Sequence, residues 1–318
     1  MLARTEIGNP GYKGLFITVA VFNSVLTLPT ILINGIVILA IFITPTLQSP
    51  SYILLSSLAL TDLIVGLIVN PMQAVMAVAD LSNYSEMVCS LILPSRQIAV
   101  TLGAASFLSL VAISIDRYLA ICLKLQYKIR VTMFRVRILV IGLWLFAIAV
   151  GFLSTRKEIS ILVFPAVALF AICLVVLIVC YVKSFHALKE HCAQINPQEY
   201  RDTAKRHCIN VTKYRKVLMT MAWLFAFIIG CYLPLLCMFI AVAFAEVNAD
   251  VAAIFCLVVT AVYVNSCINP IIYIVRMSEI RHACLQVLRR MRQMCDSKHT
   301  VVEPFSSPTA SGMQLVPQ

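Results

Sequence analysis

Charged side chains are scarce in this chain of 318 residues. Asp, Glu, Lys and Arg make up only 12% of it, whereas 61% is hydrophobic and the mean hydropathy is +0.94. Soluble domains contain about 25% charged residues, so this scarcity excludes an ordinary soluble protein. Acidic residues are the scarcest, 14 against 25 basic ones. The resulting net charge indicates a face that meets anionic lipid and acidic partners, and we expect no nucleic-acid partner.

Other absences limit the chemistry. The sequence has no cysteine–histidine spacing typical of a zinc site and no nucleophile–base constellation, so we predict that the protein is not an enzyme. An extracellular disulfide framework is not expected, because only Cys89 and Cys256 lie near the predicted outer face. Met1–Gly14 lacks the pattern of a cleavable signal peptide, so the first apolar run is expected to direct membrane insertion.

Seven apolar runs are long enough to cross a bilayer, which takes about 20 residues each. They lie at roughly 16–43, 52–79, 88–121, 133–153, 160–186, 214–244 and 251–275. Joining the fourth and fifth would leave about 50 residues to cross only once. We therefore predict an all-α membrane protein, a seven-transmembrane helix bundle.

Basic residues predict the orientation of the spans. With the N-terminus outside, 20 of the 25 lysines and arginines fall on the cytoplasmic side, as the positive-inside rule requires. We expect a multi-pass protein of the plasma membrane with a cytoplasmic C-terminus. The predicted parts are a short extracellular N-terminus (1–15), a seven-span domain (16–292) and a disordered cytoplasmic tail (293–318).

The end of the predicted seven-span domain has the pattern of a surface helix. Basic residues alternate with apolar ones in Arg276–Met294, which predicts an amphipathic helix on membrane lipid. The predicted apolar stripe consists of Met277, Ile280, Cys284, Leu288 and Met291.

Asp62 places a carboxylate within the second apolar run. A charge at that depth costs several kcal/mol on insertion scales and usually marks a functional site. Polar residues at similar predicted depths are Asn34, Ser106, Asn265 and Asn269. They predict one small polar pocket. An ion-coupled transporter that uses Asp62 is an alternative, although the sequence shows no inverted repeat of the kind that transporters often have.

Two motifs lie in the predicted cytoplasmic half of the spans. Asp116-Arg117-Tyr118 closes the third run, and Asn269-Pro270-Ile271-Ile272-Tyr273 lies in the seventh. The further anchors are Asn34-Gly35, Leu58-Ala59-Leu60-Thr61-Asp62, Trp144 and Cys231-Tyr232-Leu233-Pro234. With these residues the chain resembles the rhodopsin-like (class A) G-protein-coupled receptors over roughly residues 16–292. Leu125-Gln126-Tyr127, Cys180-Tyr181-Val182 and the short connection Ser154–Ser160 look most like the melanocortin, cannabinoid and adenosine receptor grouping.

The resemblance implies a receptor that passes an extracellular signal to a heterotrimeric G protein. It also implies receptor kinases and arrestin as partners, acting at Ser306, Ser307, Thr309 and Ser311. The implied switch residues are Asp116, Arg117, Tyr118, Tyr181, Pro234, Asn269, Pro270 and Tyr273. Asp116 can hold the guanidinium of Arg117. Pro234 removes a backbone hydrogen bond and so supplies a kink about which the sixth helix can move.

A decoy receptor, which binds a ligand without signalling, is a further alternative. The intact Asp116-Arg117-Tyr118 weighs against it. Tyr214 stands where some relatives carry an acid that holds this arginine, so we expect basal signalling.

The pocket around Asp62 resembles the sodium site of this family. The implied ligands are Asp62, Ser106, Asn265 and Asn269, whose oxygen atoms suit a hard cation. A hydrated, hydrogen-bonded cluster in which Asp62 is at times protonated is the alternative. No other metal and no cofactor is expected.

The ligand is not defined by the resemblance. Ala99 stands where amine receptors carry aspartate, and Met72, Ile92 and Arg96 replace the acids that melanocortin receptors use. The candidate ligand-binding residues are Arg96, Gln97, Ala99, Tyr232 and Tyr263. Arg96 suits the headgroup of a small acidic or lipid-like molecule, or else extends to the outer membrane interface. Cys295, together with Cys284, is a candidate palmitoylation site.

Overall fold

The computed structural model describes residues 12–82, 85–123, 126–154, 159–193, 226–242 and 248–299. Within these ranges the secondary structure is helical and contains no strand. The helices in chain order are α1 (Lys13–Ile43), α2 (Pro50–Leu81), α3 (Ser85–Leu123), α4 (Met133–Leu153), α5 (Ile159–Ala193), α6 (Ala226–Val242), α7 (Ala249–Arg276) and α8 (Ser278–His299).

Each predicted span contains one of these helices. Six of them, α1 to α5 and α7, are long and apolar enough to cross a bilayer, and α6 is a shorter apolar helix over its described residues. Residues 214–225 of the sixth predicted span lie outside the described residues. α5 continues to Ala193, beyond the predicted end of its apolar run at residue 186.

Local chemistry explains where several helices begin. Pro50 stands at the first position of α2, where its missing N–H would have no helical partner. The Asn248 side chain caps α7 by accepting a hydrogen bond from the backbone N–H of Val251 at 2.9 Å. A single helical turn, Tyr127–Arg130, connects α3 to α4. We call the end of the bundle that holds Asp116 and Arg117 the inner end, and the opposite end the outer end.

α2 is interrupted by a π-helical segment, Val65–Val69. It lies between Asp62 and Asn70, both of which are fully buried. A π segment accommodates one extra residue within a helix, so it changes the direction in which all following side chains point. The outer half of α2 is therefore turned relative to its inner half.

The hydrophobic core runs along the middle and the inner half of the bundle. Its most deeply buried members include Val37, Leu58, Leu177 and Ile228, from α1, α2, α5 and α6. Large apolar side chains such as Phe42, Leu145 and Ile172 are instead exposed on the outside of the bundle. An apolar exterior around a core of this kind is suited to lipid rather than to water.

α8 packs against α1 and α7 by a buried stripe of Ile280, Ala283, Cys284 and Val287. Ile280 and Cys284 of the predicted stripe lie on this buried face, whereas Leu288 and Met291 are each 44% exposed, so their contact with membrane lipid stays a prediction. Helical periodicity predicts the apolar face of α8, but it does not show which part of that face α1 and α7 cover. α8 extends to His299, beyond residue 292 where the tail is predicted to begin, and residues 300–318 lie outside the described residues.

α4 approaches α3 most closely at Gly151. A Cβ atom at this position would lie 1.8 Å from Thr101 Oγ1 and 3.0 Å from the carbonyl oxygen of Gln97. On the same helix, a Cβ atom at Gly142 would meet nothing within 4 Å. The absence of a side chain at Gly151 therefore allows the close contact between these two helices.

We predict that Gly151→Ala destabilises the protein by about 1–3 kcal/mol, the usual cost of overpacking. Thermal unfolding of the detergent-purified chain should show a midpoint lowered by several degrees. Gly142→Ala is the matched control and should leave the midpoint unchanged or raise it, since alanine is the better helix former. Equal effects of the two substitutions would contradict a close α3–α4 contact at Gly151.

Candidate functional site

The inner end is organised around the carboxylate of Asp116, which is buried. Its Oδ2 atom accepts a hydrogen bond from the Ser51 hydroxyl of α2 at 2.7 Å, and its Oδ1 atom accepts one from the Tyr127 hydroxyl at 2.5 Å. The Ser51 and Tyr127 hydroxyl oxygens are also within 3.1 Å of each other. One carboxylate thus joins α2, α3 and the turn that follows α3.

The predicted pair of Asp116 and Arg117 is present but is the longest of these contacts. Arg117 Nη2 lies 3.4 Å from Asp116 Oδ2, and the Arg117 side chain is 38% exposed. A guanidinium that is partly solvated and loosely paired contributes little to stability. The bonds that hold Asp116 are therefore mainly those from the two hydroxyl groups.

Sequence reasoning did not assign a role to either Ser51 or Tyr127. Ser51 follows the proline that starts α2, and Tyr127 lies eleven residues after Asp116 in a short connection. Burial, followed by the hydrogen bond to Asp116, raises the pKa of Tyr127, so this hydroxyl remains a donor at physiological pH. In the sequence, a tyrosine in such a short connection was the one feature that could have indicated the contact with Asp116.

A second unpredicted contact joins α2 to α8, where the Tyr52 hydroxyl donates a hydrogen bond to the Glu279 carboxylate. Tyr52 is 6% exposed, and Glu279 lies in the first turn of α8. Only Met277 separates α8 from α7, whose inner end carries Tyr273. The position of Tyr273 is thereby linked to α2 through Glu279.

The predicted switch tyrosines lie near the same end. Tyr273 is buried in the core, and Tyr181 of α5 packs against that core beside Ser114 of α3. Tyr118 instead lies near Cys122 and Cys180. The structure therefore places Tyr273 in the core and Tyr181 against it, while Tyr118 lies near thiols of α3 and α5.

The Asp62 carboxylate lies in the middle of the bundle with no solvent exposure. Its Oδ2 atom accepts a hydrogen bond from Asn269 Nδ2 at 3.1 Å, while its Oδ1 atom has no protein partner. Asn269, predicted as a member of this pocket, thus contacts Asp62 directly. A buried carboxylate oxygen without a donor is an acceptor available to a cation or to water.

The other residues of the predicted pocket are also buried. Ser106 lies beside Tyr232 of α6, and Asn265 is one helical turn from Asn269 on α7. Asn265 has no protein partner for either amide atom, and Asn269 has none for Oδ1. Asn34 joins α1 to α7 through a 2.8 Å hydrogen bond from its amide to the carbonyl oxygen of Ser266.

Aromatic side chains fill the space between α3, α5, α6 and α7. The Phe107 ring lies 4.5 Å from that of Phe170 and 4.8 Å from that of Tyr232. Phe170 is edge-to-face with Phe239 at 6.0 Å, and Phe239 is 6.1 Å from Phe255. Tyr232 is 3% exposed and lies at the base of this aromatic cluster, next to Ser106. Pro234, the predicted hinge, follows two residues later within α6.

The remaining candidate ligand-binding residues lie in different surroundings. Ala99 and Tyr263 belong to an apolar cluster with Val65 and Leu102. Gln97 is half-buried, with its carbonyl oxygen near Gly151 of α4, and Arg96 is exposed. The five predicted residues therefore do not form one contact set.

Several predictions lie outside what the structure describes. Tyr214, the tail residues 300–318 and the side chain of Cys295 are among them. Within the described ranges, no group of three or more His, Cys, Asp or Glu side chains is arranged to hold a metal ion. Cys89 and Cys256 form no disulfide among the described residues.

Comparison with known proteins places this arrangement in a family. The chain matches the 7 transmembrane receptor (rhodopsin family) over residues 33–157 and 152–273, and it belongs to that family. It is therefore a multi-pass membrane receptor with a seven-helix bundle, not an enzyme, and its partners are a heterotrimeric G protein and a small ligand. The predictions of fold class and receptor function are confirmed, and the transporter alternative is not supported.

Similar proteins include amine receptors. The Histamine H2 receptor of Canis lupus familiaris is 28% identical over 95% of this chain and 88% of its own length. The Histamine H2 receptor of Homo sapiens is 26% identical over 81% and 75%, respectively. The 5-hydroxytryptamine receptor 1D of Canis lupus familiaris is 32% identical over 44% of this chain and 36% of its own length. The melanocortin, cannabinoid and adenosine grouping stays a prediction.

Proposed function

We propose that this receptor acts at the plasma membrane, with its N-terminus outside, and that its resting state is held by Asp116. The observation that carries the proposal is the pair of short hydroxyl bonds from Ser51 and Tyr127 to that carboxylate. They join α2, α3 and the following turn at the end where basic residues predict the cytoplasm. A G protein acts at this end once the inner ends of the helices separate.

In this mechanism Arg117 is the group that meets the G protein. It is already partly exposed and only loosely paired with Asp116, so little interaction energy is lost when it turns to a partner's backbone carbonyl groups. Outward movement of α6, with Pro234 as the hinge, opens the space that a partner enters. Tyr181 and Tyr273 then turn inward to fill the space left between α5, α6 and α7.

Tyr232 connects the outer half of the bundle to this movement. Its ring touches Phe107 of α3 and lies 6.2 Å from Phe170 of α5. A ligand that displaces one of these rings changes the packing of α6 two residues before Pro234. The ligand thus shifts the population between closed and open packings by binding one of them more tightly.

We predict that Tyr127→Phe raises agonist-free nucleotide exchange on the G protein at least about ten-fold. Loss of a hydrogen bond to a charged group costs about 1.5–3 kcal/mol, and here the cost falls on the resting state. Exchange is measured with the purified chain and G protein in lipid nanodiscs. Ser51→Ala should act in the same direction.

Ser56→Ala is the matched control for Ser51→Ala, because the Ser56 hydroxyl bonds only to the carbonyl oxygen of Ile53 in its own helix. It should leave basal exchange unchanged. If Tyr127→Phe and Ser51→Ala both show the same basal exchange as the unsubstituted chain, the hydrogen bonds to Asp116 do not stabilise the resting state.

We further propose a sodium ion at Asp62. The residues fit such an ion, since Asp62 Oδ1, Asn265 Oδ1 and Asn269 Oδ1 are buried oxygen atoms without protein partners and Ser106 is buried nearby. A bound cation would supply the charge that balances the Asp62 carboxylate. The hydrated cluster without an ion remains the competing reading, and sodium dependence separates the two.

We predict that sodium raises the thermal unfolding temperature of the chain and that Asp62→Asn abolishes this rise. Sodium at ten times its Kd would contribute about 1.4 kcal/mol to the folded state. The measurement compares sodium chloride with choline chloride at equal ionic strength. Asp80→Asn, on the same helix, is the control and should keep the sodium effect. A sodium effect that survives Asp62→Asn would refute the site.

For the ligand we propose a lipid-like molecule with an acidic headgroup. The aromatic cluster offers an apolar surface, and Arg96 lies on the same face of α3 as Phe107, three turns or about 16 Å farther out. An apolar body on the rings and a carboxylate or phosphate at Arg96 match this spacing.

An amine ligand is the second candidate, because the similar proteins are named for histamine and 5-hydroxytryptamine. Ala99 weighs against it. This residue stands where amine receptors carry aspartate, and here it packs in the apolar cluster with Val65 and Leu102.

We predict that Arg96→Ala weakens the binding of an acidic lipid agonist at least ten-fold and that Arg96→Lys retains part of the affinity, since the charge remains. Binding is measured by competition in nanodiscs against a panel of acidic lipids and amines. Lys13→Ala, which removes an exposed basic side chain at the outer start of α1, is the control and should leave binding unchanged. Equal binding by the unsubstituted chain and Arg96→Ala would discard the headgroup role.

Receptor kinases and arrestin are proposed as partners of the serine- and threonine-containing tail, and membrane lipid as the partner of the outward face of α8. Lipidation is proposed at Cys295 rather than at Cys284. Cys284 is buried against the bundle, and burial raises the pKa of its thiol to about 11, so it forms little of the thiolate that acylation needs.

A further inference from the structure

Three buried polar residues lie outside the Asp62 pocket and the inner end. Asn23 and Thr30 of α1 and Asn70 of α2 have no solvent exposure. Four of their side-chain atoms have no protein hydrogen-bond partner, namely Asn23 Oδ1, Thr30 Oγ1, Asn70 Nδ2 and Asn70 Oδ1. Buried polar atoms inside a membrane bundle are nearly always bonded, so each of these four requires a partner.

The neighbours of Asn70 define where it lies. One turn inward, the Cα of Gly66 faces α1, since a Cβ there would be 3.0 Å from Thr30 Cγ2. Nearly one turn outward, Gln73 lies beside the Tyr263 hydroxyl of α7. Thr30 itself lies beside Cys267 of α7. Asn70 is therefore at the junction of α1, α2 and α7.

The π segment Val65–Val69 gives Asn70 this direction. Eight residues separate it from Asp62, which in a regular α-helix would rotate the two side chains about 80° apart. One extra residue within the π segment makes this separation equivalent to about seven residues, or two turns. Asn70 consequently shares the buried face of α2 with Asp62.

The polar atoms are also continuous with the Asp62 pocket. Asn34 donates one amide hydrogen to the carbonyl oxygen of Thr30 at 2.9 Å and the other to the carbonyl oxygen of Ser266 at 2.8 Å. Asn23 lies two turns outward of Thr30 on the same face of α1. The row from Asn34 through Thr30 to Asn23 thus leads from the middle of the bundle to its outer half.

We propose that Asn23, Thr30 and Asn70 form a water-binding site between α1, α2 and α7, which extends the polar interior from Asp62 toward the outer end. The group offers both donors and acceptors but no charged side chain. Water needs such a mixed set of two to four partners, whereas a cation would require acceptors alone and preferably a carboxylate. The site does not depend on whether Asp62 binds sodium or on the identity of the ligand.

X-ray hydroxyl-radical labelling of the purified full chain in heavy-oxygen water tests this site, because it marks reactive side chains next to ordered interior water. Cys267 beside Thr30 and Tyr263 beside Gln73 are the reporters, read by mass spectrometry. We expect both to be labelled in the unsubstituted chain and Asn70→Leu to reduce the labelling of Cys267 at least three-fold. Asn70→Ser, which keeps a hydrogen-bonding group, should retain it.

Ile68→Leu is the matched control, an apolar exchange on the lipid-exposed side of the same helix, and should not alter the labelling. Absence of labelling at Cys267 in the unsubstituted chain would overturn the proposal, whether or not the variants fold. Labelling that is unchanged in a folded Asn70→Leu variant would overturn it as well. Because Cys267 also lies near Asp62, the sodium comparison is read at Tyr263: replacement of sodium by choline should leave its labelling unchanged, and sodium-dependent labelling of Tyr263 would assign the occupant to a cation instead.

Discussion

A polar atom that is removed from water inside a lipid-embedded bundle needs another partner, and the two buried aspartates meet this requirement differently. Asp116 receives hydroxyl donors on both carboxylate oxygens, from Ser51 and Tyr127. Asp62 receives donors from Asn269 and Ser266, while its Oδ1 atom has no partner within the protein. The first aspartate therefore fixes the positions of the segments around it, whereas the second leaves the middle of the bundle responsive to what binds there.

The space between α3, α5 and α6 next to Ser106 is packed rather than polar. Phe107, Phe170 and Tyr232 fill it with rings in direct contact, and close-packed side chains change arrangement in discrete steps. A second restraint is the hydrogen bond from the Tyr52 hydroxyl to Glu279, which connects α2 to the start of α8. These two sets of hydrogen bonds restrain α2, α3 and α8 at the inner end.

Properties that are local in the sequence could be predicted from it. Apolar length predicts the spans, and the cost of burying Asp62 marks the polar pocket, because both depend on residue type and depth alone. Contacts between distant residues could not be predicted, and Ser51, Tyr127 and the pair of Tyr52 with Glu279 belong to this group. The apolar spacing of α8 could be read from the sequence, but periodicity alone could not show which of its residues pack on the bundle, as Ile280 and Cys284 do, and which stay exposed, as Leu288 does. The ligand-binding residues were chosen one by one, and the structure places them in separate surroundings.

The interruption in α2 has a consequence for how this chain tolerates changes in length. Removal of one residue from Val65–Val69 would let the helix close into regular α-helical turns, with no break in its hydrogen bonding. Asn70 would then follow Asp62 by seven residues, about two regular turns, so the side chains from Asn70 to Leu81 would keep nearly the direction that the π segment now gives them. A single deletion here would preserve both the helix and its sidedness, whereas a deletion elsewhere in α2 would rotate all following side chains by about 100°.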